Sequence, residues 1–115
     1  MKHDMKLKAI YFDKIKTGEK IYEIRLNDEK RRLINVGDVL IFNKEPELKE
    51  KIATEVKELV YFNSFEELLN TLPVEKIGFK SMDKQSIKDV YCQFYSKEDE
   101  NKYGVVAIKV QVINK

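Results

Sequence analysis

Gly18-Glu19-Lys20-Ile21-Tyr22-Glu23-Ile24-Arg25-Leu26 changes character residue by residue over its last six positions. Ile21, Glu23 and Arg25 fall on one side of an extended chain, and Tyr22, Ile24 and Leu26 fall on the other. That period of two predicts a strand over residues 21–26, with its apolar side against a core. Glu23 and Arg25 then project together into a polar space, close enough along the pleat for their side chains to meet. Gly18 stands where a left-handed residue would end a helix, so residues 11–17 read as a short helix. Lys20 lies between that turn and the strand, and the turn rather than the pleat sets its direction.

Upstream, residues 5–10 read as a short strand, with His3 near a mobile terminus. Downstream, residues 27–32 are too polar for a strand and read as a turn or helical turn. Val36-Gly37-Asp38 is a turn signal leading into a β-rich run over residues 39–42. Residues 44–51, with Pro46, read as a hairpin loop, and residues 52–62 as a long, bent strand. Ser64-Phe65-Glu66-Glu67 has the form of a capping box, and Phe65, Leu68, Leu69 and Leu72 follow at helical spacing before Pro73. A second amphipathic helix carries Ile87, Val90, Tyr91 and Phe94 on its apolar face. Residues 105–113 close the chain as a strand with Val106, Ile108, Val110 and Val112 on the core side. The fold class is α+β, with the last strand closing a half-barrel against an earlier one.

Composition bounds the function. The 115 residues, 43% hydrophobic and 37% charged, suit a single domain over residues 1–115 with its own core. A formal net charge of only +2 argues against nonspecific nucleic-acid coating and for a local patch. Cys92 is the one cysteine and His3 the one histidine, which excludes a Cys/His zinc site and an internal disulfide. No metal, no cofactor and no membrane association is expected, and a reducing, cytoplasmic setting is. No glycine-rich phosphate loop or serine triad is present.

A cleft holding Lys20, Glu23 and Arg25 would offer an ammonium, a carboxylate and a planar fork, the groups that hold a phosphate or the edge of a base. The plain alternative is a solvated ion pair worth under about 1 kcal/mol. Lys30-Arg31-Arg32 is a candidate phosphate-facing rim, or a solubility cluster. Among Tyr11, Tyr22, Tyr91, Tyr95 and Tyr103, Tyr95 is the best candidate to stack on a base, at the end of a helix that borders the cleft. Removing Lys20 is expected to abolish function at little cost in stability.

Gly18, Lys20, Glu23 and Arg25 also form a Gly-x-Lys-x-x-Glu-x-Arg pattern after the first helix. With the Val36-Gly37-Asp38-Val39-Leu40-Ile41-Phe42 strand entry and the element order, the chain resembles the ASCH family. The resemblance implies a PUA-like mixed β-barrel, with a short N-terminal helix and two further helices before the closing strand. It also implies an RNA-associated role, with RNA or a nucleotide as partner. Some members of the wider group are small hydrolases, amidohydrolases acting on acetylated cytidine or ribonucleases. Lys20 and Glu23 would be the catalytic pair here, although the amidohydrolase pattern has Thr where this chain has Glu23. A third alternative is a protein-interaction module in a translation or regulatory complex.

Overall fold

The structure, a computed structural model, describes residues 1–113. Strand β1 (Lys2–Leu7) leads into helix α1 (Ala9–Thr17), β2 (Tyr22–Leu26) and a 3-10 turn (Arg31–Leu33). Strands β3 (Val39–Lys44) and β4 (Lys51–Phe62) follow, then helix α2 (Phe65–Thr71) and a second 3-10 turn (Val74–Ile77). Helices α3 (Lys84–Phe94) and α4 (Lys97–Tyr103) precede the closing strand β5 (Val105–Val112). The first strand begins earlier and ends sooner than the sequence suggests, and α1 takes over from Ala9.

One sheet in the order β1-β3-β4-β5-β2 curls into a half-barrel. The β1–β3 pair is parallel and the other three are antiparallel. The closing strand pairs with the early strand β2 on one side and with β4 on the other, where the register shifts between Val56 and Glu58. That shift is the bend expected of a twelve-residue strand wrapping a barrel.

Two apolar clusters lie on the two faces of the sheet. The inner one joins Phe12 and Ile15 of α1 to Leu40, Phe42, Val56, Val106, Ile108 and Val110. The outer one packs α2 and α3, through Phe65, Leu68, Ile87 and Tyr91, on Ile24, Leu26, Val105 and Ala107. Val106, Ile108 and Val110 are buried as expected, and Val112 is half-buried. The strand is buried on both faces, which explains why Val105 and Ala107 interrupt the alternation with apolar residues of their own.

Helix α2 starts as its sequence predicts. Ser64 Oγ accepts the Glu67 amide at 3.1 Å, while the Glu67 carboxylate accepts the Asn63 amide at 2.9 Å, one residue before the capping residue. Helix α4 is one helix more than the sequence reading allowed.

His3 is held, contrary to its expected place at a mobile end. It sits in β1 with its Nε2 2.8 Å from Asp38 Oδ2, and the Asn35 amide donates to the same oxygen at 3.0 Å. These contacts, that with His3 foremost, bring the Asp38 carboxyl down from 3.8 to about 2. A depressed carboxyl stabilises the fold above its unfolded value of 3.8 and loses that contribution as pH falls through about 2. Asp38→Asn should therefore remove part of the acid sensitivity in that window. Thermal unfolding followed across acid pH checks this, and an unchanged pH slope would contradict it.

Candidate functional site at the barrel seam

The half-barrel leaves its edge strands, β1 and β2, unpaired with each other. Arg25 on β2 spans the gap, donating from Nη2 to the Lys6 carbonyl of β1 at 2.9 Å. The candidate site lies at this seam, beneath α3 and the second 3-10 turn.

The Gly18 turn delivers Lys20 into it. Gly18 ends α1 in a left-handed conformation at φ 87°, and the Lys20 amide returns to the Lys14 carbonyl at 3.0 Å. The Lys20 side chain is 4% exposed. Its ammonium donates to the carbonyls of Tyr22 at 2.6 Å and Ile77 at 2.9 Å, and lies 3.3 Å from Glu23 Oε1. All three N–H groups thus have an acceptor. Glu23 Oε2 takes the Arg25 Nε at 2.6 Å, so one buried carboxylate sits between two cations. Gly78, at φ 102°, closes the arrangement. A Cβ there would stand 3.0 Å from Lys20 Cδ and 3.4 Å from the Tyr11 ring, so only glycine suits both the backbone and the lysine.

Burial opposes the Glu23 charge, but Lys20 and then Arg25 outweigh it and hold the carboxyl below its ordinary value. Burial lowers the Lys20 ammonium, with Glu23 only partly offsetting it. Burial also raises the Tyr95 hydroxyl, which therefore stays protonated.

Above the three charged groups opens a cleft of about 300 Å³ with aromatic walls. Tyr91 stacks on Phe65 at 4.6 Å, and Tyr95 stacks on Phe65 at 5.6 Å. Phe79 meets both Tyr11 and Tyr91 edge-on at 5.7 Å. The walls are braced from behind, so a flat ligand would meet preorganised ring faces and edges.

Of the residues singled out in the sequence, Lys20, Glu23, Arg25, Tyr11, Tyr91 and Tyr95 converge here. Lys30 and Arg31 line a second basin beyond Arg25. Arg32 turns away, its Nε donating to the Asn27 carbonyl at 2.8 Å and its guanidinium resting 6.0 Å from the Tyr103 ring. Phe94 was assigned to the core by its helical spacing. It is instead 54% exposed at the cleft mouth, with the Lys8 ammonium 4.5 Å from its ring. Phe79, Lys6 and Glu45 also line the cleft without having been singled out. A helix face directed at a core and one directed at a cleft wall share the same period, so spacing alone does not separate them.

Among the described residues, no cluster of three or more His, Cys, Asp or Glu side chains could hold a metal ion. No helix there is long and apolar enough to cross a membrane.

Known proteins share this architecture. The crystal structure of hypothetical protein PH0355 superposes with a TM-score of 0.88 at 40% identity, covering 98% of this chain and 100% of that one. The solution structure of protein PF0455 from Pyrococcus furiosus does so at 0.81 and 36% identity, covering both chains fully. An ASCH domain from Lactobacillus crispatus, 16% identical, gives a TM-score of 0.63 over 90% of this chain and 70% of its own, and shows that the half-barrel is PUA-like. A comparison with curated proteins finds no match. The sequence model of the ASCH domain matches residues 5–114, a span that begins within β1 and takes in every later strand and helix, and the chain belongs to the ASCH domain family.

Proposed function

We propose that this domain recognises single-stranded RNA or a nucleotide by admitting one base to the seam cleft. Family membership supports a nucleic-acid-binding or related role in general. The observation that carries the narrower reading is the ionised Glu23, 4% exposed, at the foot of an aromatic-walled cleft between Lys20 and Arg25. A solvated ion pair would not be enclosed in this way. Fold stability gives little reason for the triad either, since apolar packing usually replaces buried ion pairs without loss. Each Glu23 oxygen retains a lone pair able to accept from an exocyclic amino group, and Arg25 has donors for a ring nitrogen or carbonyl. Lys20 has its donors committed, so its assigned role is to position and charge Glu23. Lys30 and Arg31 lie outside this cleft, in the neighbouring basin, whereas Arg32 contributes charge at a distance.

Tyr95→Ala should weaken binding of short RNA by about 1–3 kcal/mol if its ring stacks on the base. Titration calorimetry with wild type and variant tests this, and equal affinities would remove Tyr95 from the site.

One observation favours a second reading, hydrolysis of a nucleoside amide or phosphodiester. The Lys20 ammonium lies 3.3 Å from Glu23 Oε1, within reach for proton exchange, and burial lowers its pKa. Incubation with acetylated and unmodified nucleosides, followed by mass spectrometry, separates the two readings: products support the hydrolase and their absence supports the binder. Residues 1–115 are read as one domain, and a cytoplasmic setting accords with the lone, exposed Cys92 thiol.

A further inference from the structure

Beyond Arg25 the seam opens into a second basin of about 450 Å³, which the cleft's own chemistry does not use. Arg25 and Lys6 line both spaces, so the two meet across the Arg25 guanidinium. The basin collects the cationic side chains of Lys6, Arg25, Lys30, Arg31 and Lys51, against the single carboxylate of Asp4. In a chain whose net charge is only +2, that is a marked local excess.

The cations come from four separate parts of the fold: β1, β2, the start of β4, and the first 3-10 turn with the residue before it. Sequence proximity therefore does not explain their meeting. Lys6, Lys30 and Lys51 are all exposed at the rim. Lys51 donates to Asn43 Oδ1, which turns its ammonium toward the basin wall, and the Asn43 amide is anchored by the Met5 carbonyl at 3.3 Å. Arg31 is weakly committed. Its Nη1 reaches Asp28 Oδ2 at only 3.4 Å, and its buried Nε has no acceptor. A buried donor without an acceptor is uncommon in a folded protein, and an anion in the basin would supply one after a small rotation of the fork.

We propose that this second basin is a phosphate subsite, so that the ligand of the seam is a phosphorylated nucleotide rather than a free nucleoside. The inference rests on the reading of the cleft as a base site. It adds a selectivity: Arg25, touching both spaces, ties the base at Glu23 to the phosphate beside Lys30, Arg31 and Lys51.

The test compares wild type with a Lys30→Ser, Lys51→Ser double variant, both positions being exposed and outside the cleft. Affinities for the four nucleosides and for their 3′- and 5′-monophosphates are measured by NMR at low salt, alongside inorganic phosphate and pyrophosphate alone. For wild type, at least one monophosphate should bind roughly tenfold or more tightly than its nucleoside, an advantage that fades with added salt. In the double variant the nucleoside affinity should stay unchanged while that advantage collapses. Nucleosides that bind without any phosphate advantage would overturn the subsite and leave the base site standing. An advantage equally large in the double variant would also overturn it. Perturbation of Lys6, Arg31 and Asn43 by pyrophosphate, with no nucleoside binding, would support the subsite and sink the reading of the cleft. No response to any of these probes would overturn both.

Discussion

Replacing Glu23 with Ala is expected to destabilise the fold by about 3–5 kcal/mol and to abolish ligand binding. The stability loss follows from what stays behind. Lys20 remains buried, and Arg25 half-buried, without the carboxylate that both contact. Like charges in a poorly solvated place cost more than the lost attraction alone. Glu23→Gln keeps the shape and one acceptor but removes the charge, so it should fall between Ala and wild type in stability. Denaturant unfolding near neutral pH measures both. A loss of under about 1 kcal/mol for the Ala variant would mean that the triad is solvated after all.

Lys20→Met is expected to be the second most damaging change. The methionine can keep packing against Tyr11 and Gly78, but the Tyr22 and Ile77 carbonyls lose their donor. Each buried acceptor left unpaired costs about 1–3 kcal/mol, so the loss is on the order of several kcal/mol. Sequence alone suggested that Lys20 could be removed at little cost. Its burial and its bond to a carbonyl 57 residues away overturn that expectation. The variant should also alter the acid response. In the wild type Glu23 is held below its ordinary 4.5, so it stabilises the fold above that pH and ceases to as pH falls through the lower folded value. Without Lys20, burial is less opposed, the Glu23 carboxyl rises, and acid unfolding begins at higher pH. Acid titrations followed by circular dichroism check the direction, and an unshifted midpoint would contradict it.

The parts of the fold legible in the sequence were those governed by local rules. The alternation from Ile21 to Leu26, the Gly18 helix end, the Ser64 cap and the closing strand each follow from a period or a cap, and each stands where it was expected. Helix α4 escaped because Lys97–Tyr103 has no apolar stripe; its buried residue is Glu100, whose carboxylate accepts the Phe65 amide at 2.7 Å. Its Ser96 cap, accepting the Asp99 amide at 3.1 Å, was the available signal. Within the site, Glu23 and Arg25 were paired by the pleat. The acceptors around Lys20 and the aromatic walls come from segments far along the chain, so no local spacing reports them. Arg32 shows the converse: it adjoins Arg31 in sequence, but the 3-10 turn sends the two side chains to different sides.

The most direct measurement is an NMR titration of isotopically labelled protein with short single-stranded RNA and with mononucleotides. The account predicts saturable shifts at the Glu23 carboxyl, the Arg25 guanidinium and the Tyr95 and Phe94 rings, all lost in Glu23→Gln. Shifts centred instead on Arg32 and Tyr103, or a response that survives unchanged in Glu23→Gln, would contradict the assignment of the seam cleft as the recognition site.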